Sequence, residues 1–162
     1  MIPLVFAGVL RALEDFVLTA GEECQRALSW LRSVQKPDGS FGESVQSYEN
    51  PSTKGQGAST ASQTAWGLIG LLAGSDTGDP AIQRAVSYLV SRQNSDGSWS
   101  EDEFTGTGFP CVFYMKYHLY RNSFPLYALA RFRNQMRNST DFRAMMFNPA
   151  DFRMRSGFQG AR

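Results

Sequence analysis

The feature that most constrains this sequence is an internal repeat with an offset of 58 residues. The stretch CQRALSWLRSVQKPDGSF (residues 24–41) aligns with IQRAVSYLVSRQNSDGSW (residues 82–99), and ten of the eighteen positions are identical. In each copy apolar residues recur at helical spacing up to a Gln, and an Asp-Gly turn and an aromatic residue follow. Repeats of this length are typical of helix pairs that stack on one another. The repeat therefore predicts a chain built from helical hairpins.

The repeat and the capping signals together predict six helices, near residues 4–18, 22–35, 60–73, 80–93, 110–121 and 124–136. Ser59 or Thr60 can cap the third helix, and Asp79 followed by Pro80 marks the start of the fourth. We find no segment that alternates with period two for long enough to predict a strand. The expected fold class is all-α, with three antiparallel helix pairs in series.

The two Gln-to-aromatic turns are expected to be structural staples rather than catalytic groups. The Gln amide follows the last turn of its helix, where carbonyls lack partners, and it can also reach the first turn of a neighbouring helix. The aromatic side chain can cover those hydrogen bonds and exclude water. The residues assigned to this role are Gln35, Asp38, Gly39 and Phe41 in the first copy, and Gln93, Asp96, Gly97 and Trp99 in the second.

Aromatic residues are concentrated in residues 105–127, TGTGFPCVFYMKYHLYRNSFPLY. Pro110 and Pro125 each suit the first turn of a helix, where a missing N–H is tolerated. On the predicted helix 110–121, Phe113, Tyr117 and Tyr120 lie at i, i+4 and i+7 and share one face, with Phe109 at its mouth. Two interpretations follow: an ordinary apolar core stripe, or the wall of a cavity whose rings stabilise a cation.

Charge and cysteine content exclude several functional classes. Sixteen Lys and Arg residues against fifteen Asp and Glu give a net charge of +1, which provides no basic face for nucleic acid. Cys24 and Cys111 lie in unrelated contexts and are expected to be free thiols, and with the single His118 they form no metal-site spacing. The amino-terminal stretch has neither the signals of a leader peptide nor the length of a membrane span. We therefore expect no metal and no cofactor.

These motifs resemble those of bacterial squalene–hopene cyclases, which are class II triterpene cyclases. The two turns resemble the QW motif, Q-x-x-D-G-x-W, of that family, with Phe41 in place of Trp in the first copy. The segment GTGFP followed by FY-x-KYHLYRN-x-FPLYALAR resembles the carboxyl-terminal part of such enzymes, as do YENP (residues 48–51) and ASTASQTAW (residues 58–66). The resemblance covers about residues 4–137, and residues 1–137 are interpreted as one domain, the C-terminal part of an α/α barrel. Residues 138–162 are expected to be a disordered tail.

The resemblance implies an α/α toroid, a partial α6–α6 barrel, that encloses an aromatic-lined cavity. In such enzymes a protonated aspartic acid protonates squalene, and ring closure proceeds through carbocations to hopanoids. Matching the motifs places Phe109 and Phe113 as π-donors to the later cations, and Tyr117 and Tyr120 in steric and electrostatic roles. The acid of these enzymes belongs to an Asp-x-Asp-Asp motif that this sequence lacks, so no catalytic residue is assigned here.

The chain is accordingly interpreted as the C-terminal portion of a cyclase, an isomerase or, for hopanol formation, a hydro-lyase, and inactive on its own. Its expected partners are squalene and the rest of the cyclase barrel. By analogy with the family, a homodimer and a peripheral contact with the inner membrane from the cytoplasmic side are also expected.

Two other classes of protein fit parts of the pattern. One is another toroid enzyme such as a protein prenyltransferase β-subunit, which would need Asp, Cys and His zinc ligands. The other is a non-catalytic α-hairpin repeat module that binds a partner through an exposed concave face. An Asp-x-Asp-Asp motif with more QW repeats encoded upstream would favour the cyclase over both.

Overall fold

A computed structural model describes residues 2–15, 21–109 and 111–138 of the chain. Within these residues lie five α-helices: α1 (Ile2–Asp15), α2 (Glu22–Val34), α3 (Ala61–Gly74), α4 (Pro80–Ser91) and α5 (Tyr120–Asn138). Two short 3-10 helices, Val45–Tyr48 and Pro51–Thr53, lie between α2 and α3. Strands β1 (Gly106–Phe109) and β2 (Phe113–Met115) pair between α4 and α5. The predicted tail lies outside the described residues from position 139 onward.

Helix α3 is the centre of the fold. Its first thirteen residues are all buried, and the helix packs against α1, α2, α4 and α5. A helix that is apolar on every side must be surrounded by other elements. Thr60 caps its first turn, because the Thr60 hydroxyl oxygen accepts a hydrogen bond of 3.1 Å from the backbone N–H of Gln63. The core therefore forms around α3 rather than within three equivalent helix pairs.

The first Gln-to-aromatic turn joins the end of α2 to the start of α4. Gln35 is the C-cap of α2, and its side-chain amide donates to the carbonyls of Gly39 at 3.0 Å and Ala81 at 2.8 Å. Its oxygen accepts a hydrogen bond of 2.7 Å from the guanidinium of Arg84 on α4. The Gln35 side chain therefore bonds to a carbonyl and an arginine of the neighbouring helix α4. The expectation was that it would bond to the first-turn N–H groups of that helix or to the last carbonyls of α2. Phe41 is buried beneath this turn.

The second turn has the same internal geometry without a neighbouring helix among the described residues. The Gln93 amide donates to the carbonyl of Gly97 at 2.9 Å, as Gln35 does to Gly39, but Gln93 and Asp96 are exposed. Trp99 is buried, and its indole N–H donates to the carbonyl of Leu89 at 2.8 Å. The two copies of the motif share a conformation and differ in what covers them.

The predicted helix over residues 110–121 is wrong. Strands β1 and β2 form an antiparallel hairpin there, with Gly106 opposite Met115 and Thr107 opposite Tyr114. Cys111 in the connecting turn has a φ of +62°. Thr, Phe, Val and Tyr favour extended backbone, and glycines at alternate positions of β1 weaken a helix. The strand pattern in this short stretch therefore prevailed over the proline signals, although Pro110 itself lies outside the described residues.

Helix α5 begins earlier than predicted, at Tyr120 instead of residue 124, so Pro125 lies inside it. Its start is a pair of tight turns in which the backbone N–H groups of Tyr120 and Ser123 donate to the carbonyls of Tyr117 and Leu119. The Asn122 side chain accepts a hydrogen bond of 3.1 Å from the backbone N–H of Trp99. This bond ties the first turn of α5 to the second repeat and extends the helix ahead of the proline.

Candidate functional site

The four residues predicted to line a cavity come from three different elements. Phe109 ends β1, Phe113 begins β2, Tyr117 follows the hairpin, and Tyr120 is the first residue of α5. The expectation that Phe113, Tyr117 and Tyr120 share one helix face is therefore wrong, because residues 113–117 are not helical. The hairpin and the turn after it, rather than a helix, bring Phe109 next to Phe113 and Tyr117 next to Tyr120.

Among the described residues, the four rings contact one another as two pairs. The rings of Phe109 and Phe113 meet edge to face, with centroids 5.7 Å apart and planes at 69°. The rings of Tyr117 and Tyr120 are stacked, with centroids 4.7 Å apart and planes at 20°. Both arrangements are favourable for aromatic quadrupoles. The pairs present ring faces and edges with two phenol groups.

Alternate glycines in β1 make room for one ring of each pair. A Cβ atom on Gly106 would lie 2.5 Å from Cε2 of Tyr117, and one on Gly108 would overlap the ring of Phe113. Both positions therefore require glycine because an aromatic ring covers the strand backbone there. This relation explains the Gly-Thr-Gly-Phe sequence, and the sequence analysis missed it although the alternating glycines indicated a close approach.

The opposite face of the hairpin anchors it to the rest of the fold. Side chains alternate across a strand, so Tyr114 points away from Phe113. The Tyr114 ring contacts Tyr48 at 6.2 Å and Phe104 at 6.4 Å between centroids, and its hydroxyl accepts from the backbone N–H of Cys111 at 3.2 Å. The loop of 3-10 helices thus supports the hairpin from one side and leaves the rings of Phe109 and Phe113 free on the other.

The predicted site residues form a largely exposed surface in this chain. Phe109 is 65% exposed, Phe113 is 45% exposed and Tyr117 is 41% exposed, while Tyr120 packs partly against the core. Several large aromatic side chains exposed to solvent side by side indicate a surface that binds another molecule or another part of a protein. With ring faces exposed and few polar atoms, the surface can stabilise a cation that is kept away from water.

A buried carboxylate lies at the first turn of α3. Glu101 is 6% exposed, and its two oxygens accept hydrogen bonds from the backbone N–H of Ser62 at 2.9 Å and from the Ser62 hydroxyl at 2.8 Å. An anion at this first turn of α3 is favoured by the helix dipole. Burial raises the pKa of the Glu101 carboxyl, while the bonds from Ser62 oppose that rise. Glu101 is not among the residues that the sequence analysis singled out.

This raised pKa predicts a pH dependence of stability that Glu101→Gln should remove. A folded-state pKa above the unfolded value of about 4.3 means that the folded chain binds the proton more tightly. The contribution of Glu101 to the free energy of unfolding should therefore fall as pH rises from about 4.3 through the raised pKa, and stay level above it. Urea unfolding of both chains across pH 4–8 measures this difference. A difference curve that is flat in this range would contradict the assignment.

Comparison with known proteins agrees with the motifs at the site. The squalene-hopene cyclase C-terminal domain family matches residues 6–134. A squalene–hopene cyclase of Bradyrhizobium diazoefficiens is 48% identical over 116 residues, which cover 71% of this chain and 17% of the relative. The squalene–hopene cyclase of Alicyclobacillus acidocaldarius is 51% identical over 92 residues, covering 57% and 15%.

A relative with a different named activity matches almost as well. Dammaradiene synthase of the fern Dryopteris crassirhizoma is 46% identical over 136 residues, which cover 75% of this chain and 20% of the synthase. The chain thus spans a fifth or less of the length of these curated relatives. All four predicted ring residues and both Gln-to-aromatic turns lie inside the region that the family matches.

Proposed function

The chain belongs to the squalene-hopene cyclase C-terminal domain family, and from this premise we propose that it supplies part of the cavity wall of a triterpene cyclase. The family is built on an α/α toroid, and the mainly helical fold of this chain fits one sector of it. The proposed substrate is squalene, and the proposed partner is the rest of the cyclase barrel. The observation that carries the proposal is the exposed set of paired rings at Phe109, Phe113, Tyr117 and Tyr120.

These rings suit a reaction that passes through carbocations. A cation over a ring face interacts with the negative face of the π-system, by about 2 kcal/mol in a site without water. Carboxylates or water in the same place would trap the cation early. In the assembled enzyme, Phe109 and Phe113 would stabilise later cations, and Tyr117 and Tyr120 would shape the cavity beside them.

The remaining chemistry belongs outside this sequence. An upstream aspartic acid would protonate a terminal alkene of squalene, and each new carbon–carbon bond would move the cation along the chain. The last cation would then either lose a proton, which makes the reaction an isomerisation, or bind water to give an alcohol. In both outcomes one proton is released, from the cation or from the bound water, and it balances the proton added at the start.

We also propose that the assembled enzyme works at the cytoplasmic face of the inner membrane, as a peripheral homodimer. Squalene is a hydrocarbon and resides in the bilayer, so an enzyme that takes it up benefits from contact with the lipid. No described helix is long and apolar enough to cross a membrane. Exposed apolar side chains such as Val112 and Leu119 offer a contact of the peripheral kind.

The first test compares the isolated chain with a hybrid enzyme. The hybrid joins the part of the Bradyrhizobium diazoefficiens relative that precedes the matched region to this chain. The isolated chain should form no polycyclic product from squalene, since its sequence carries no Asp-x-Asp-Asp acid. The hybrid should form polycyclic hydrocarbons that mass spectrometry detects.

The complete relative serves as the positive control, and the hybrid with its upstream acid replaced by Asn serves as the negative one. A folded hybrid that binds squalene and yields no cyclised product would contradict the proposed function. Cyclised product from the isolated chain would show that an acid within these residues had been overlooked.

One observation favours a second candidate, a non-catalytic module that binds another protein. The turn at Gln93 is uncovered, whereas the matching turn at Gln35 is packed against α4. Such a module would bind its partner through the second turn without any need for the aromatic rings. Loss of partner binding in Gln93→Ala but not in Phe113→Ala would support this candidate against the cyclase.

A further inference from the structure

A continuous set of aromatic contacts connects the centre of the core to the proposed cavity wall. Trp66 on α3 is fully buried, and its ring meets Phe124 at 5.4 Å and Tyr120 at 6.0 Å between centroids, both nearly edge to face. Tyr120 and Phe124 also contact each other at 5.0 Å and 84°. The Tyr120 ring in turn stacks on Tyr117. We call these four rings the aromatic relay.

Tyr117 depends on this relay for its position. Its ring lies between the backbone of Gly106 on one side and the ring of Tyr120 on the other. Among the described residues, the hydrogen bond of its hydroxyl is a weak one to the Met115 sulfur, at 3.8 Å. The stack on Tyr120 is therefore the main contact that fixes the plane of the Tyr117 ring.

Trp66 takes part in the relay through its ring rather than through a hydrogen bond. Its indole N–H is buried and has no hydrogen-bond partner among the described residues. A buried donor without an acceptor is unfavourable, so the site gains nothing from the polar atom of tryptophan. What Trp66 provides is a large, rigid surface beneath Tyr120 and Phe124 that no aliphatic side chain can match.

We propose that Trp66 is a positioning residue for the cyclisation cavity, which acts by holding Tyr120 and, through it, Tyr117. This role rests on the proposed function of the ring surface. Removing the Trp66 ring opens a void beneath Tyr120, and Tyr120 turns into it. Tyr117 then loses its stacking partner, and both rings leave the places from which they face the substrate. Trp66 itself touches no substrate.

The test uses three variants in the isolated chain and in the hybrid enzyme. Trp66→Leu removes the ring, and Trp66→Phe keeps a ring while removing the unpartnered N–H. Leu28→Ala is the matched control, because Leu28 is also fully buried but packs beside Gly74. If Trp66→Leu does not fold, Trp66→Met takes its place, since methionine is flexible enough to fill an irregular gap.

The first readout is the position of the tyrosine rings in the isolated chain. NMR of 13C-labelled tyrosine reports each ring, with Tyr117→Phe and Tyr120→Phe for assignment. Trp66→Leu should shift the signals of both Tyr117 and Tyr120, and Leu28→Ala should leave both in place. Unchanged Tyr117 signals in Trp66→Leu would overturn the relay, whatever the enzyme does.

The second readout is the product ratio of the hybrid enzyme. In Trp66→Leu the ratio of early-terminated to fully cyclised product should rise by about fivefold, with Trp66→Phe close to the parent ratio and Leu28→Ala unchanged. An active Trp66→Leu hybrid with the parent ratio would overturn the positioning role while leaving the proposed function intact. A parent hybrid that forms no cyclised product would overturn the proposed function and, with it, this role.

Discussion

Phe41→Ala should lower the stability of the isolated chain by about 3–5 kcal/mol. Phe41 is 1% exposed, and its ring fills the space above Gly67 on α3, where a Cβ atom would lie only 2.6 Å from the ring. Deleting the ring therefore leaves a cavity in the centre of the core that α3 cannot close. Thermal unfolding should show a midpoint about 10 °C lower.

Phe113→Ala should instead change the product ratio and leave stability nearly unchanged. Its ring is 45% exposed, so the melting temperature of the isolated chain should change little. In the hybrid enzyme the same change should move product toward early-terminated hydrocarbons by roughly tenfold, which corresponds to about 1.4 kcal/mol. A hybrid Phe113→Ala that keeps the parent product ratio would remove Phe113 from the cavity wall.

Substitutions of Tyr117 and Tyr120 should differ in whether they affect stability as well as the product ratio. The sequence analysis grouped both with Phe113, because all three were expected on one helix face. The structure places Tyr120 partly in the core against Trp66 and Phe124. Tyr120→Ala should therefore lower stability as well as change the product ratio, whereas Tyr117→Ala should mainly change the ratio.

Gly39→Ala should destabilise the chain by roughly 3 kcal/mol or more, and Gly97→Ala by only about 1 kcal/mol. Both glycines occupy the same turn of the repeat with positive φ, +88° and +84°. An alanine at either position would be strained by the left-handed backbone conformation. At Gly39 the new Cβ would also overlap the backbone carbonyl of Arg84 on α4, which cannot move away.

Paired chemical denaturation of the two variants measures this difference directly. Because the local strain is the same, the excess for Gly39→Ala reports the contact between the first turn and α4. Equal losses for the two variants would mean that α4 is not packed on the first turn as described. The pair thus isolates one interface without removing any hydrogen bond.

The sequence predicted the helical parts well where two independent signals agreed. Helices α2 and α4 combine amphipathic spacing with a repeated Gln and Asp-Gly turn, and the bounds of both were predicted within one or two residues. Thr60 and Asp79 were predicted as caps, and their side chains do accept hydrogen bonds at the first turns of α3 and α4. Such local signals decide where a helix starts regardless of its surroundings.

The hairpin was missed because its local signals conflict. Pro110 and Pro125 indicate helix starts, and aromatic residues at positions 113, 117 and 120 fit a helical face as well as a strand followed by a turn. The choice depends on Tyr114 packing against the distant Tyr48 and on rings that cover Gly106 and Gly108 once the hairpin has formed. Periodicity alone does not contain that information.

Trp66 was missed for a different reason. In α3 every residue from position 61 to 73 is buried, so no amphipathic pattern separates one side of the helix from another. Its partners Tyr120 and Phe124 lie on α5, beyond a hairpin that the sequence did not predict. The four ring residues were predicted from their spacing and from resemblance to a family, whereas the side chains that pack beneath them can be found only from the structure.

The turn at Gln35 is packed against α4 whereas the turn at Gln93 is exposed, and this difference bears on where unfolding begins. In arrays of stacked repeats, each unit draws part of its stability from the neighbour that it touches. The unit around Gln35 is held on both sides, by α2 and by α4, whereas the unit around Gln93 has such support on one side within the described residues. Local opening should therefore begin at the Gln93 turn before it reaches the Gln35 turn.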